Sequence, residues 1–333
     1  MSVGERTTPD AKANTVDALP AGEPVAWLFP GLGSRFVGMG ADIIAEFSAA
    51  DRLIARAARK LGYDIREVCL SGSGRKYVAP RIEAQVIYVI NCAYVDVLHS
   101  FGQKPHVVCG HSLGSWSAAY AAGVLDFDSG LEMVTAVEDQ LDQHIHDGEQ
   151  AMGVVIGLDE TFVAQMCGEE EDVYLANLNS PGQYVIAGRA TSVDAVLERA
   201  SELGAKKSQQ IAGSRAMHTP LLARANREIL HKLSTIHFDD PTVPLLNCFS
   251  LQPMMTSDEI RGYFGEFLQQ PVRWEASMRK LGALGTYRYL EVGAAALLTG
   301  MMPFIDRAAH METVSDWLAR HATANATDLT SPV

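Results

Sequence analysis

The 333-residue sequence contains no stretch approaching the ~18 apolar residues that a membrane-spanning helix needs. Basic residues are outnumbered, 27 Lys and Arg against 40 Asp and Glu, for a net charge of -13. That balance argues against a general nucleic-acid binder, which carries a basic footprint. Cysteine is sparse: Cys69, Cys92, Cys109, Cys167 and Cys248 are scattered, odd in number and form no CxxC pair. A disulfide framework and a zinc site are therefore not expected, and a reducing compartment fits. Met1 to Pro20 lack a basic start followed by an apolar run, so no secretory leader is expected. There is no internal repeat and no low-complexity block. What is present is an ordinary globular composition, 47% hydrophobic and 20% charged, in a chain long enough for a large core. These features together predict a cytoplasmic monomer with no metal, membrane or nucleic-acid partner.

Residues 1–22, rich in Ala, Thr, Pro and Asp, read as a disordered lead-in, and 321–333 as a flexible tail. Val25–Phe29 is continuously apolar and stops at Pro30-Gly31, as a buried parallel strand does. A helical pattern begins near Met39 and continues over 41–60. His106–Cys109 is a second buried strand running into Gly110, followed by a small-residue helix over 115–122. Strand, glycine turn, helix marks an α/β unit. Over 150–212 the pattern changes to β-α-β-β-α-β, that of a ferredoxin-like unit. The chain then returns to a helix (219–234), a strand (243–248), a helix (272–283) and a strand (287–292). The expected fold is α/β: a large α/β-hydrolase-like subdomain with a parallel sheet (23–149 and 213–320), interrupted by a small ferredoxin-like subdomain (150–212).

Gly110-His111-Ser112-Leu113-Gly114 matches G-x-S-x-G. Five residues of common types are weak alone, but a buried strand before and a small-residue helix after are the context of a nucleophile elbow. A serine hydroxyl needs a base to take its proton. Among ten histidines, His218 stands out in Ser214-Arg215-Ala216-Met217-His218-Thr219-Pro220, just past the small subdomain and at a helix start. The remaining histidines read as surface or structural residues, and His111 lies beside the serine but points wrongly for a base. Acyl transfer also needs oxyanion donors. The Leu113 amide directly follows the nucleophile, and a second donor is expected from Gly31-Leu32-Gly33-Ser34. That loop lacks the spacing of a nucleotide-binding motif; its other reading is a plain turn.

At this breadth the chain resembles malonyl-CoA:acyl-carrier-protein transacylases and polyketide synthase acyltransferase domains. The resemblance rests on Phe29-Pro30-Gly31-Leu32-Gly33-Ser34, Gly38-Met39-Gly40, Gln85, the Ser112 elbow, Ala121-Ala122-Gly123-Val124-Leu125-Asp126-Phe127 and Ala151-Met152-Gly153. It continues through Asn179-Ser180-Pro181-Gly182-Gln183-Tyr184-Val185-Ile186-Ala187-Gly188, His218, Gln270-Pro271-Val272-Arg273-Trp274 and Glu291-Val292-Gly293, in order across about 24–305. It implies a ping-pong mechanism: Ser112 takes the acyl group from a thioester and hands it to a carrier protein's phosphopantetheine thiol. His218 acts as base and then acid, with the Leu32 and Leu113 amides as oxyanion hole. The protein needs no cofactor of its own, since the phosphopantetheine arrives on the substrate. The resemblance also implies a main-chain carbonyl orienting His218, placed at Asn247 or Cys248.

The sequence departs from that family where cargo is chosen. Malonyl-selective members carry an arginine about 25 residues after the serine; here the position is Val137, flanked by Ala136 and Glu138. Ser115 stands where the family has glutamate, Met217 where it has Phe or Ser, and Leu32 and Arg35 where it has glutamine. Gln85, Ser115, Val137, Arg215 and Met217 are the expected substrate pocket, with Arg215 or Arg35 as the alternative source of a carboxylate-binding cation. Arg189, Lys206, Lys207 and Arg215 are candidates for docking an acidic carrier protein, or else scattered solvated charges. The expected function is a trans-acting acyltransferase of a polyketide-type pathway moving a non-malonyl group: aminoacyl, short or branched acyl, or a chain intermediate. The alternatives are an acyl hydrolase acting on carrier proteins, a malonyl transacylase, and a non-catalytic docking subunit.

Overall fold

The computed structural model describes residues 24–71, 79–146 and 148–328. The expected lead-in at 1–22 lies outside them. The first strand, β1 (Val25–Phe29), is followed by α1 (Ala41–Ile44), α2 (Ser48–Leu61) and α3 (Pro80–Ser100). The single helical pattern read over 41–60 is thus two helices, broken at Ala45–Phe47. Pro80 occupies the first turn of α3, where a missing N–H costs nothing. Nearly every residue of α3 from Ala84 to Leu98 is buried, as an all-round apolar helix must be. Next come β2 (Val107–Gly110), α4 (Gly114–Ala121) and α5 (Phe127–His144), the last capped by the Asp126 carboxylate.

The middle of the chain forms β3 (Gln150–Ile156), α6 (Glu160–Glu169), β4 (Val173–Ser180), β5 (Gln183–Arg189), α7 (Ala190–Glu202) and β6 (Lys207–Ile211). Their sheet is antiparallel in the order β4-β5-β3-β6, the ferredoxin-like arrangement. The chain then continues through α8 (Ala223–Leu233), β7 (Leu245–Leu246), β8 (Pro253–Met254), α9 (Ser257–Glu266), α10 (Trp274–Ala283) and β9 (Arg288–Glu291). It closes with α11 (Met302–Ile305), β10 (His310–Thr313) and α12 (Val314–Asp328). The tail read as flexible from 321 is helical to Asp328, because Val314, Trp317 and Leu318 anchor α12 on the core and Trp317 packs edge-on to Phe101.

The large sheet runs β10-β9-β1-β2-β7-β8, parallel except for the last pair. Alternation in its central strands divides the core. Trp27, Phe29 and Val108 face the α2–α5 side, while Ala26, Leu28, Val107 and Cys109 face Trp274, Met278 and Leu281 of α10. The small sheet buries one face under α6 and α7. Ala176 and Ala187 on its other face pack with Ala216, two residues before His218. Main-chain bonds tie the small sheet to the segment entering α10: Leu178 N–H to the Val272 carbonyl at 2.9 Å, and Val272 N–H to the Ala176 carbonyl at 2.8 Å. Among the described residues, no helix is long and apolar enough to cross a membrane.

Candidate active site

Register builds the site. Phe29 of β1 pairs with Gly110 of β2 in parallel, so the loops leaving both carboxyl ends emerge side by side. Such carboxyl-end crevices are where open α/β sheets bind ligands. The turn after β2 is tight. A Cβ on Gly114 would stand 2.0 Å from the Phe29 carbonyl oxygen, and one on Gly31 would stand 2.5 Å from the His111 oxygen. Only glycine at both positions lets the two loops close on each other. Ser112 sits at the apex with φ of 50°, a left-handed conformation costly for a non-glycine residue. Ser34 Oγ donates to the Gly31 carbonyl at 2.7 Å and closes the facing turn. The Leu32 and Leu113 amides flank this junction, and neither donates to a protein acceptor among the described residues.

Ser112 Oγ lies 2.7 Å from His218 Nε2. His218 Nδ1 faces two main-chain carbonyls, those of Phe267 and Gln270, each at 3.1 Å. Carbonyls only accept, so Nδ1 carries the proton and Nε2 presents its lone pair to the serine hydroxyl. His218 also holds a left-handed φ, 63°. Burial, then repulsion from His111, pushes its pKa down to about 4, against the opposing pull of the Phe267 and Gln270 carbonyls. The imidazole is therefore neutral and able to accept a proton across the physiological range. His111 turns away: its Nε2 donates to Asn179 Oδ1 at 2.8 Å and its ring meets Trp274 edge-on.

The carbonyl placed at Asn247 or Cys248 is not the one that orients His218. The Asn247 carbonyl accepts from Leu251 N–H at 2.9 Å and that of Cys248 from Arg273 N–H at 3.2 Å. Both are committed to the turns around β7, while the α9 exit at Phe267 and Gln270 reaches the imidazole. A carbonyl has no side-chain signature, so the only available signal was Gln270 at the head of the Gln-Pro-Val-Arg-Trp stretch.

Ser115 is fully buried, bonded to the Gly110 carbonyl at 3.2 Å and the Tyr263 hydroxyl at 2.8 Å. It braces the elbow from below and does not line a pocket. Gln85 is likewise sequestered, accepting from Tyr63 and donating to Thr135, both at 2.9 Å. Leu113, Val137 and Met217 share one apolar cluster. Arg215, expected in the pocket or at a docking face, is held by Glu138 and by Asp142, the latter at 2.6 Å. Glu138 is buried, and desolvation raises its carboxyl pKa against the pull of Arg215. The remaining docking candidates do not form one patch. Arg189 pairs with Asp172 at one end of the small sheet, and Lys207 lies opposite Ile156 at the other, six residues along β3. That is a separation of about 20 Å.

Two structural supports were not anticipated. Asn91 of α3 donates to the Pro30 carbonyl at 3.0 Å and to Ser117 at 3.3 Å, fastening the β1 exit to α4. Glu291, in the quoted Glu-Val-Gly stretch, accepts from the amides of Leu297, Leu298 and Thr299 and is an anchor for that turn, away from the chemistry.

A family model described as an acyl transferase domain matches residues 26–315. A malonyl CoA-acyl carrier protein transacylase of Synechocystis is 33% identical over 276 residues, 83% of this chain and 92% of that protein. The polyketide biosynthesis protein ThaF of Burkholderia thailandensis is 32% identical over 299 residues, 86% of this chain and 25% of that larger protein. Among solved structures, a malonyl-transacylase, PlMCAT, in complex with the type II polyketide synthase acyl-carrier protein AntF superposes with a TM-score of 0.85. It has 29% identity over 90% of this chain and 99% of that one.

Proposed function

The chain belongs to the acyl transferase family, and from that premise we propose that it is a trans-acting acyltransferase carrying a non-malonyl acyl group to or between carrier proteins in a polyketide-type pathway. As the Ser112 oxygen attacks a thioester carbonyl, His218 Nε2 takes the hydroxyl proton. The Leu32 and Leu113 amides receive the developing oxyanion. Collapse breaks the C–S bond, and the departing sulfur takes the proton from His218. The incoming phosphopantetheine thiol then gives its proton to His218, attacks the Ser112 ester and releases the serine, which recovers the proton. The Phe267 and Gln270 carbonyls hold the ring in its one useful tautomer and stabilise the transient imidazolium.

The pairing of Arg215 supports the cargo assignment. Val137, the residue that the family spacing puts where malonyl-selective members carry arginine, is buried in the apolar core, and the buried cation beside it in the fold, Arg215, is already paired with Glu138 and Asp142. Seating a carboxylate there without a partner charge costs about 3–5 kcal/mol, roughly two to four orders of magnitude in selectivity. An uncharged acyl group escapes that penalty.

The test is Ser112 acylation read by intact mass across a panel of acyl-CoAs and acyl-carrier proteins, malonyl donors included. Acylation by uncharged or aminoacyl donors well ahead of malonyl is expected, followed by transfer to an added carrier thiol. Malonyl as the fastest donor would sink the assignment. Loss of the label to water, with none reaching the carrier, would make the protein a hydrolase.

A further inference from the structure

The loop that supplies the Leu32 amide also carries an apolar surface. Leu32 is 36% exposed, Phe36 44% and Val37 56%, and Leu70 on the neighbouring π-helical turn Glu67–Ser71 is 39% exposed. A 2.7 Å bond from Gly38 N–H to the Cys69 carbonyl fastens the loop to that turn. Phe162, Leu230 and Phe304, by contrast, sit singly on separate helices, which is ordinary for a surface. Within the cluster stands Arg35. No carboxylate pairs with it among the described residues, although acids outnumber bases across the chain. Glu83, at the rim, accepts from the Gly33 amide.

We propose that Leu32, Phe36, Val37 and Leu70, with Arg35 among them, form the surface on which an acidic acyl carrier protein docks to deliver its thioester. The inference rests on the carrier-dependent reading above. Three observations select this occupant. The patch is continuous with the oxyanion loop, so whatever covers it stands at the mouth of the Ser112 site. Its single unpaired guanidinium suits a partner with carboxylates around an apolar face, the arrangement that fixes register and speeds encounter. Phe36 supplies the aromatic anchor that interface centres favour. Arg189, Lys206 and Lys207 offer no comparable convergence.

A crosslinking assay tests this without depending on the acyl group. In a Ser112→Cys background, the thiol displaces bromide from a bromoacetyl-pantetheine, forming a thioether. The group is presented either free or attached to each of a panel of discrete type II carrier proteins. The parent is expected to react faster with at least one carrier than with the free probe. Phe36→Asp, Arg35→Glu and Leu70→Asp should each slow carrier crosslinking tenfold or more while leaving the free probe within about twofold; Lys207→Glu should change neither. Parental carrier rates in all three patch variants would overturn the proposal, as would a parent that prefers no carrier. If the two loop variants slow the free probe as well, Leu70→Asp, outside that loop, decides by the same criterion. A Ser112→Cys parent that fails to react even with the free probe would sink the Ser112 reading, and this surface with it.

Discussion

Ser112 and His218, 106 positions apart in sequence, meet at 2.7 Å, and both hold their backbones in the left-handed region, at φ of 50° and 63°. Each strained residue is locked by its surroundings: the serine by the glycine-walled elbow, the histidine by the Phe267 and Gln270 carbonyls. Strain of this kind persists only where neighbours over-determine it.

Removing either partner should separate nucleophile from base. Ser112→Ala is expected to give no acyl adduct by intact mass with any donor. His218→Ala should lower the acylation rate about 10²–10⁴-fold, the usual contribution of a positioned general base. Asn247→Ala should leave the rate nearly unchanged, because that residue's contacts are with Phe249, Ser250 and its own turn. A loss comparable to that of His218→Ala would contradict an Asn247 side chain engaged only in its own turn.

The depressed pKa of His218, about 4 against an ordinary 6.5, predicts a shifted acid limb. The kcat/KM for acylation should stay flat from pH 8 to 5 and fall only on approaching 4. The same shift acts on stability with a definite sign. Between about pH 4 and 6.5 the unfolded chain binds a proton that the folded chain refuses, so stability rises with pH through that window. The contribution, about 3 kcal/mol, is full above the unfolded value and lost as pH falls toward 4. Denaturant titrations of the parent and His218→Gln at pH 4.5 and 7 would measure it; an identical pH dependence in both would refute the attribution.

Gly114→Ala places a methyl 2.0 Å from the Phe29 carbonyl oxygen, a backbone atom that cannot swing aside. A loss of about 3 kcal/mol or more is expected, seen as a lower melting temperature together with loss of acylation.

The elbow, the base and the βαββαβ unit were legible because each has a side-chain pattern: glycine spacing around Ser112, a singular setting for His218, short apolar runs in β3 and β5. What escaped reading is what patterns do not encode. The strand read over 243–248 is confined to Leu245–Leu246, and the Asn247 and Cys248 carbonyls turn to accept from Leu251 and Arg273. Ser115 looked like a pocket residue from its place beside the elbow, yet it points to Tyr263, a partner 148 residues away. Arg215 looked available until Glu138, on α5, proved to hold it.

That last pair is open to measurement. Arg215→Ala should cost roughly 3–5 kcal/mol by leaving Glu138 buried and unpaired, while the double variant with Glu138→Gln should recover part of the loss. Val137→Arg should raise malonyl acylation at least tenfold relative to the parent. No gain in that variant would argue that Val137 does not face the acyl group.

Nothing in either sheet alone makes a catalyst. The serine rides on a strand completed early in the chain, and the histidine arrives only after the entire antiparallel sheet has been threaded, its ring then gripped by a segment a further fifty residues on. Contacts so remote in sequence bear the full entropy of loop closure, as does the large sheet itself, which pairs Val25 with Arg288. The first acylated serine is accordingly a more stringent witness to completed folding than any content of helix or strand.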